Sequence, residues 1–437
     1  MGRSVVAEES VQLFIDGLFG TNQWMIGLIL GQNSSQRDFA IELVRSPIDD
    51  TGEDDEKGHT VKKKKKPSLD TVDEQWTAEH ARQVSRMLPG GISVIGVVAM
   101  AAPDVMTKSQ AKLRQVMFAI HKTVTKGDVL LKDADVTERI LLQICSLTRK
   151  TTCRTIDVSD LKSTFRPAEL KYQSFVNRWS QLNTQVSVNV KIPVMKSSSR
   201  SNFQKQIQLG VKSWCKSLSQ SLCLLNGKLK KLDELLDTTQ THKKKGGSAV
   251  SGSGPQNFKV AFLLQNNSAN TTIENKVCKS MIILRGRISA KCYMNNKATV
   301  GEAVEALKED VIHSLLSRCD LLCEDLQQTE DDIIDINTTP RRVYVQMPRS
   351  QIEISDYMFP DESTQDCVGR IQELLDFQIS PDELKIDIES LPGMFLLADL
   401  GLSSLEASNI MIFFGEKMMA SSTHVPAISI VGFEWSL

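Results

Sequence analysis

The stretch His80–Asp104, HARQVSRMLPGGISVIGVVAMAAPD, decides how this chain is read. Trp76, His80, Val84 and Leu88 recur every four residues, which places them along one face of an amphipathic helix. Pro89-Gly90-Gly91 stops that helix, because proline has no amide donor and glycine tolerates positive φ. Ile92–Ala102 then runs on without polar alternation, the pattern of a strand buried on both faces. An earlier apolar run, Trp24–Leu30 in WMIGLILGQ, offers a partner strand of the same character. After the central strand come Ala101, Ala102, Pro103 and Asp104.

The bulk numbers exclude several function classes. At 437 residues the chain is long enough for two or three domains and a sizeable core. Lys+Arg 52 against Asp+Glu 53 leaves no global basic field to favour nucleic acid or an anionic membrane. Aromatic content of 5% also disfavours base-stacking platforms. Nine scattered cysteines without a CxxC pair read as reduced thiols in a cytosolic setting. Met1–Glu9 lacks the apolar core of a secretory signal, so the sequons at Asn33, Asn266, Asn270 and Asn337 read as chance matches. No run of 18 apolar residues occurs, so the chain is expected not to span a membrane.

The chain is expected to be α/β (α+β), in three parts. The first, 5–195, opens with a helix (Val11, Phe14, Ile15, Leu18) and strands at Trp24–Leu30 and Phe39–Val44. A charged loop at about 46–70 carries the acidic Asp49–Glu56 beside the lysines 62–66, opposite blocks that mark a solvated segment. A nuclear-import or anionic-lipid reading of those lysines stays open beside it. Leu113, Val116, Met117, Ile120 and Val124 mark a further helix, and strands follow at Glu138–Ser146, Cys153–Asp157 and Thr184–Val194.

The second part, 200–360, starts with a helix whose shared face is Ile207, Val211, Trp214, Leu218 and Leu222. Asn226-Gly227 signals a turn that ends it, with continuation through Leu225, Leu229, Leu232 and Leu236 as the alternative. A flexible linker is expected at about 237–256. Strands at Phe258–Leu264, Met281–Tyr293 and Arg342–Met347 surround a long helix opened by the capping pair Thr299 and Glu302. Val300, Val304, Leu307, Val311, Leu315, Leu322 and Leu326 form its buried face. The third part, 361–437, reads as an irregular tail.

No constellation in the sequence carries chemistry: no catalytic, cofactor-binding or metal-ligating residues are predicted, and no cofactor. Metalloprotease domains with this strand and helix layout place a His-x-His pair after the central strand and an Asp further on, together binding zinc. Ala101-Ala102-Pro103 offers no ligand at that place. Cys319 and Cys323, one helical turn apart, read as buried thiols rather than half a zinc site. Cys145 and Cys153 flank a hairpin in which they are able to face each other. None of the six histidines sits in a catalytic signature, and His80 and His121 fit the apolar period of their helices. The enzyme alternative is a metal-dependent isopeptidase with dispersed ligands such as His80, His121 and Asp104.

EHARQVSRMLPGG, FRPAELKYQS at 165–174, SRCDLLCEDL at 317–326 and RRVYVQMP at 341–348 resemble the odorant response abnormal protein four family. The opening VAEESV with GLILGQNSSQRDF resembles its amino-terminal pattern, and the spacing agrees over about residues 5–385. The resemblance implies an inactive Mpr1/Pad1 N-terminal (MPN)-like domain followed by a second mixed α/β domain. It also implies a non-catalytic adaptor in the folding, maturation or trafficking of multi-pass, odorant-receptor-type proteins. Its implied partners are those client receptors and the ubiquitin-fold-modifier protease, recruited to the endoplasmic reticulum through paired MPN-like domains. A soluble structural subunit of an MPN-domain assembly is the alternative. The family closes with one transmembrane helix, whereas Leu391–Leu437 holds only short apolar pieces. The expected place is therefore the cytosolic face of the endoplasmic reticulum membrane, with this chain itself soluble and its membrane contact made through partners.

Overall fold

The computed structural model describes residues 3–19, 24–34, 37–48, 68–126, 136–195, 203–236, 255–264, 278–328, 336–386 and 409–414. Most of the expected charged loop and all but the end of the expected linker lie outside these residues, as does the chain beyond 414.

The first sheet is made of β1 (Ser4–Ala7), β2 (Met25–Asn33), β3 (Arg37–Arg45), β4 (Ser93–Ala101), β5 (Glu138–Cys145), β6 (Thr151–Asp157), β7 (Arg166–Pro167) and β8 (Glu169–Tyr172). Their order is β7-β6-β5-β4-β2-β3-β1-β8. β2 runs antiparallel to β4, the pairing expected of two continuous apolar runs, and β4 is parallel to β5. The outermost strands β7 and β8 are separated only by Ala168, whose N–H donates to Cys153 O at 3.0 Å. One extended segment therefore pairs with both β6 and β1 and draws the sheet's two edges together, which hides edges that would otherwise stay open to pairing.

β4 is buried on both faces because each face has its own cover. On one side α1 (Glu9–Leu18) lays Val11, Ile15 and Leu18 over Val98, Met100 and Leu142. On the other, α2 (Glu74–Met87) contributes Ala78, Ala81 and Val84, against Val97 and Ala99. α3 (Pro103–Lys108) is a short exposed helix, and α4 (Gln110–Val124) adds Leu113, Val116, Met117 and Ile120 to the second face. Trp76 departs from its expected face: it is 38% exposed and donates its indole N–H to Pro47 O at 2.9 Å.

The second sheet is built on two long strands, β9 (Ser180–Met195) and an antiparallel partner. α5 (Phe203–Ser219) and β10 (Leu222–Leu225) follow, then β11 (Asn257–Leu263) and the partner itself, β12 (Cys278–Met294). α6 (Val300–Gln328) and β13 (Ile336–Thr339) come next. β14 (Arg341–Gln346), β15 (Glu353–Met358), α7 (Thr364–Leu375) and β16 (Lys385–Ile386) make a three-stranded sheet with its helix. β17 (Asn409–Phe414) completes the second sheet, in the order β10-β11-β9-β12-β17-β13. α5 and α6 cover one face through Ile207, Val211, Val304, Leu307 and Val311. Thr299 and Glu302 make the capping box that opens α6.

Three expectations change here. The sequence places the strand up to residue 195 in the first part, but the alternating valines of β9 belong to a strand that pairs with β12 and β11 and packs under α5 and α6. The first sheet therefore ends near Tyr172. Alternation reveals a half-buried strand without saying which sheet it joins. The tail from 361 is not wholly irregular: it supplies α7, β16 and β17. Ser363 and Asp366 form a capping box, and Cys367, Val368, Ile371 and Leu375 are buried. α5 ends at Ser219, before the Asn226-Gly227 turn, and Leu229 and Leu232 are exposed, so the helix is not prolonged. Among the described residues, no helix is long and apolar enough to cross a membrane.

Candidate functional site at the seam between the sheets

The corner where a metal pair would be sought lies at the end of β4. Ala101 is buried, and its carbonyl accepts from Ser146 N–H at 3.0 Å. Ala102 is the N-cap of α3 with no side-chain cap, Pro103 begins the helix, and Asp104 is exposed in its first turn. Methyl groups and a proline ring offer no lone pair to a cation. Among the described residues no three His, Cys, Asp or Glu side chains gather closely enough to hold a metal.

The dispersed candidates stay dispersed. His80 is buried on α2, with Nε2 2.8 Å from Leu374 O and Nδ1 3.1 Å from Ser46 Oγ. A carbonyl only accepts, so Nε2 carries the proton and Nδ1 accepts from the serine hydroxyl. Burial lowers the His80 pKa against the opposing carbonyl bond, which fits a neutral ring. Its work is to tie α2 to the end of α7. His121 is half-buried on α4, its pKa lowered by burial and then by Arg139. Cys319 and Cys323 are buried on α6, and burial pushes Cys323 up to about 12, where a thiolate is not accessible at neutral pH. Cys153 stands opposite Leu142, not Cys145, so those two thiols do not face across the hairpin.

The built polar structure lies elsewhere, where the Pro-Gly-Gly turn meets the end of β12. Gly90 N–H donates to Lys291 O at 2.9 Å, and Tyr293 N–H donates to Gly90 O at 3.0 Å. Gly91 sits at φ +78°, and a Cβ there would fall 2.4 Å from Tyr293 O. A Cβ on Gly90 would fall 2.4 Å from Ala306 O of α6. Both glycines are therefore required by close approach of the second sheet and its helix.

Gln32, at the end of β2, locks this seam. Its amide nitrogen donates to Gly91 O at 2.7 Å and Tyr293 O at 3.0 Å. Its oxygen accepts from Asn295 N–H at 3.1 Å and from Asn295 Nδ2 at 2.8 Å. All four hydrogen-bonding positions of a buried amide are thus used. Beneath it, Asp310 of α6 forms a two-pronged ion pair with Arg342 of β14, both contacts 2.8 Å and both side chains almost fully buried. Asp310 also accepts from Lys291 N–H, and Arg342 Nε donates to Ser355 Oγ. Burial pulls the Arg342 pKa down, but the Asp310 carboxylate outweighs it and holds the group well above its ordinary value. The network joins β12, α6, β14 and β15. It fixes how the parts sit together and presents no reacting group.

The glycines stand out in the sequence, whereas Gln32, Asp310 and Arg342 do not. A polar residue inside an apolar strand, as in ILGQN, was the available signal for Gln32.

A family model described as "Odorant response abnormal 4-like" matches residues 27–386. The protein odr-4 homolog of Gallus gallus is 36% identical over 396 residues, covering 88% of this chain and 87% of its own length. The Homo sapiens homolog is 33% identical over 402 residues, with 89% and 87% covered. Odorant response abnormal protein 4 of Caenorhabditis elegans is 23% identical over 326 residues, 71% of this chain and 64% of that protein. A solved structure titled as UfSP from C. elegans superposes with a TM-score of 0.41 and 8% identity, covering 86% of this chain and 56% of that one. The matching motifs span both large sheets and the seam that joins them, and this chain belongs to the odorant response abnormal 4-like family.

Proposed function

We propose that this chain is a non-catalytic adaptor. In this reading its first sheet and helices form an inactive MPN-like unit that pairs with the corresponding unit of the ubiquitin-fold-modifier protease. The assembly serves the folding, maturation or trafficking of multi-pass receptors at the cytosolic face of the endoplasmic reticulum. Membrane contact is made through those partners. Relatives named for odorant response support the receptor part of this reading.

The observation that carries the non-catalytic part is the corner at the end of β4, where Ala101, Ala102 and Pro103 stand and, among the described residues, Asp104 joins no cluster of ligands. Elemental analysis of the purified chain is expected to find no stoichiometric zinc, and one tightly held equivalent would overturn the reading. Co-purification from cells with partners identified by mass is expected to return the modifier protease and receptor clients. Recovery of other MPN-domain subunits alone would favour a purely structural role.

A further inference from the structure

We propose that a cleft beside the seam binds an acidic peptide segment carrying one apolar anchor side chain. The cleft has a volume of about 200 Å³ and is walled by β1 and β3 of the first sheet, the crossing at 173–179 and the 295–297 turn before α6. Its floor is aromatic. Phe39 meets Phe175 and Trp179 edge-on at 5.2 and 5.6 Å, and Phe175 stacks on Trp179 at 5.4 Å. Glu8 holds the crossing in place from the sheet side by accepting from Phe175 and Val176 N–H at 2.9 and 3.0 Å.

Charge identifies the occupant's sign. Among the described residues Arg37, Arg178 and Lys297 line the cleft and no carboxylate does, although the whole chain carries a net charge of −1. A wall of three cations without an acid is thus a local arrangement and not a reflection of composition. Among the described residues the Arg37 and Lys297 side chains make no ion pair, and Arg178 has only a 3.4 Å contact to Ser174 O. Unneutralised cations around an apolar floor attract an anion that also brings apolar surface.

Hydrogen bonding and size favour a peptide over a phosphate. Among the described residues Asn296 Oδ1 is a buried acceptor without a donor, and such atoms mark a wall rich in hydrogen-bonding capacity. A peptide brings several N–H donors together with its carbonyl acceptors, whereas a phosphate offers chiefly acceptors. Gln173 and Asn295 add amides to the wall, which suit a peptide's mixed donors and acceptors. The volume is below the roughly 300 Å³ at which pockets for whole small molecules begin, and suits a single side chain with its acidic neighbours lying on the rim. Because the 295–297 turn is tied to Gln32 through Asn295, both large sheets contribute to the cleft.

This inference stands apart from the adaptor reading, since it is tested on the isolated full chain. The probe is a fluorescein-labelled octapeptide of seven glutamates around one leucine, followed by anisotropy. Saturable binding that weakens with added salt is expected. Arg37→Ala and Lys297→Ala each weaken it roughly two- to fivefold, and the double variant roughly tenfold. Among the described residues neither side chain makes a hydrogen bond, so unchanged thermal midpoints are expected and separate binding from stability. Replacing the leucine by glutamate weakens binding, and inorganic phosphate competes poorly. Absence of saturable binding, indifference to the Arg37 and Lys297 variants, or displacement by phosphate as effective as by unlabelled peptide would each overturn the proposal.

Discussion

Gly91→Ala should destabilise the chain far more than Gly227→Ala, although the two glycines share nearly the same backbone angle, φ +78° and +75°. An L-residue in the left-handed region costs about 1–2 kcal/mol. At Gly227 that is the whole effect, because a Cβ there meets nothing within 4 Å. At Gly91 the same methyl group falls 2.4 Å from Tyr293 O, 2.9 Å from Met294 Sδ and 3.0 Å from Gln32 Nε2. The carbonyl belongs to backbone and cannot swing aside, so the turn must lift off β12. Lifting strains two backbone hydrogen bonds, at about 1 kcal/mol each, and leaves the buried Gln32 amide partly unpaired, at about 1–3 kcal/mol. The expected loss is therefore roughly 4–7 kcal/mol at Gly91 against about 1–2 at Gly227. Urea unfolding of both variants, with the slope checked for constancy, reads the difference directly. Equal midpoints would show that the seam yields without loss and that the turn does not fix the two sheets.

The Asp310–Arg342 pair should show the asymmetry of a buried ion pair: Arg342→Ala loses about 3–5 kcal/mol, while Asp310→Leu combined with Arg342→Met loses clearly less. A double variant less stable than Arg342→Ala in denaturant melts would contradict this. Glu42 is buried, and burial pushes its pKa up to about 7 against the opposing Leu43 N–H and Ser10 hydroxyl. Its folded form prefers the proton, so it weakens the fold as pH rises from about 4.5 to 7. Glu42→Gln should gain up to about 3 kcal/mol above that window and little below it, and a pH-independent difference between the two proteins would argue against the buried acid. His80 has the opposite sign. Its lowered pKa means that its contribution is complete above about 6.5 and is lost as pH falls through the folded value. Melts of His80→Gln should therefore lack part of the acid-side decline of the parent, and parallel curves would refute it.

Several elements were legible in the sequence because their cause is local. The runs Trp24–Leu30 and Ile92–Ala102 have no polar period, and the paired central strands β2 and β4 form on them. Thr299 and Glu302 sit three apart before a stripe of valines and leucines, and they cap α6 as that spacing requires. Ser363 and Asp366 carry the same signature before α7, so this helix was readable too, though the thinning pattern around it obscured it. The two-residue and four-residue strands β7, β8 and β16 were not readable, since such lengths hold too few side chains to show a period.

What the sequence determined by itself was where regular structure forms, where the chain turns, and that the corner after β4 holds alanines and proline instead of imidazoles. Only the tertiary structure decided the partnerships. It placed β9 in the second sheet, and it folded one short segment along both β6 and β1 to draw the first sheet's edges together. It brought Gln32, Gly91, Tyr293 and Asn295, up to 263 residues apart, into one hydrogen-bonded seam. The physical reason is range. Periodicity and caps arise from neighbours within a few residues, whereas the choice of sheet and the pairing of buried polar groups are settled by which distant surfaces exclude water together.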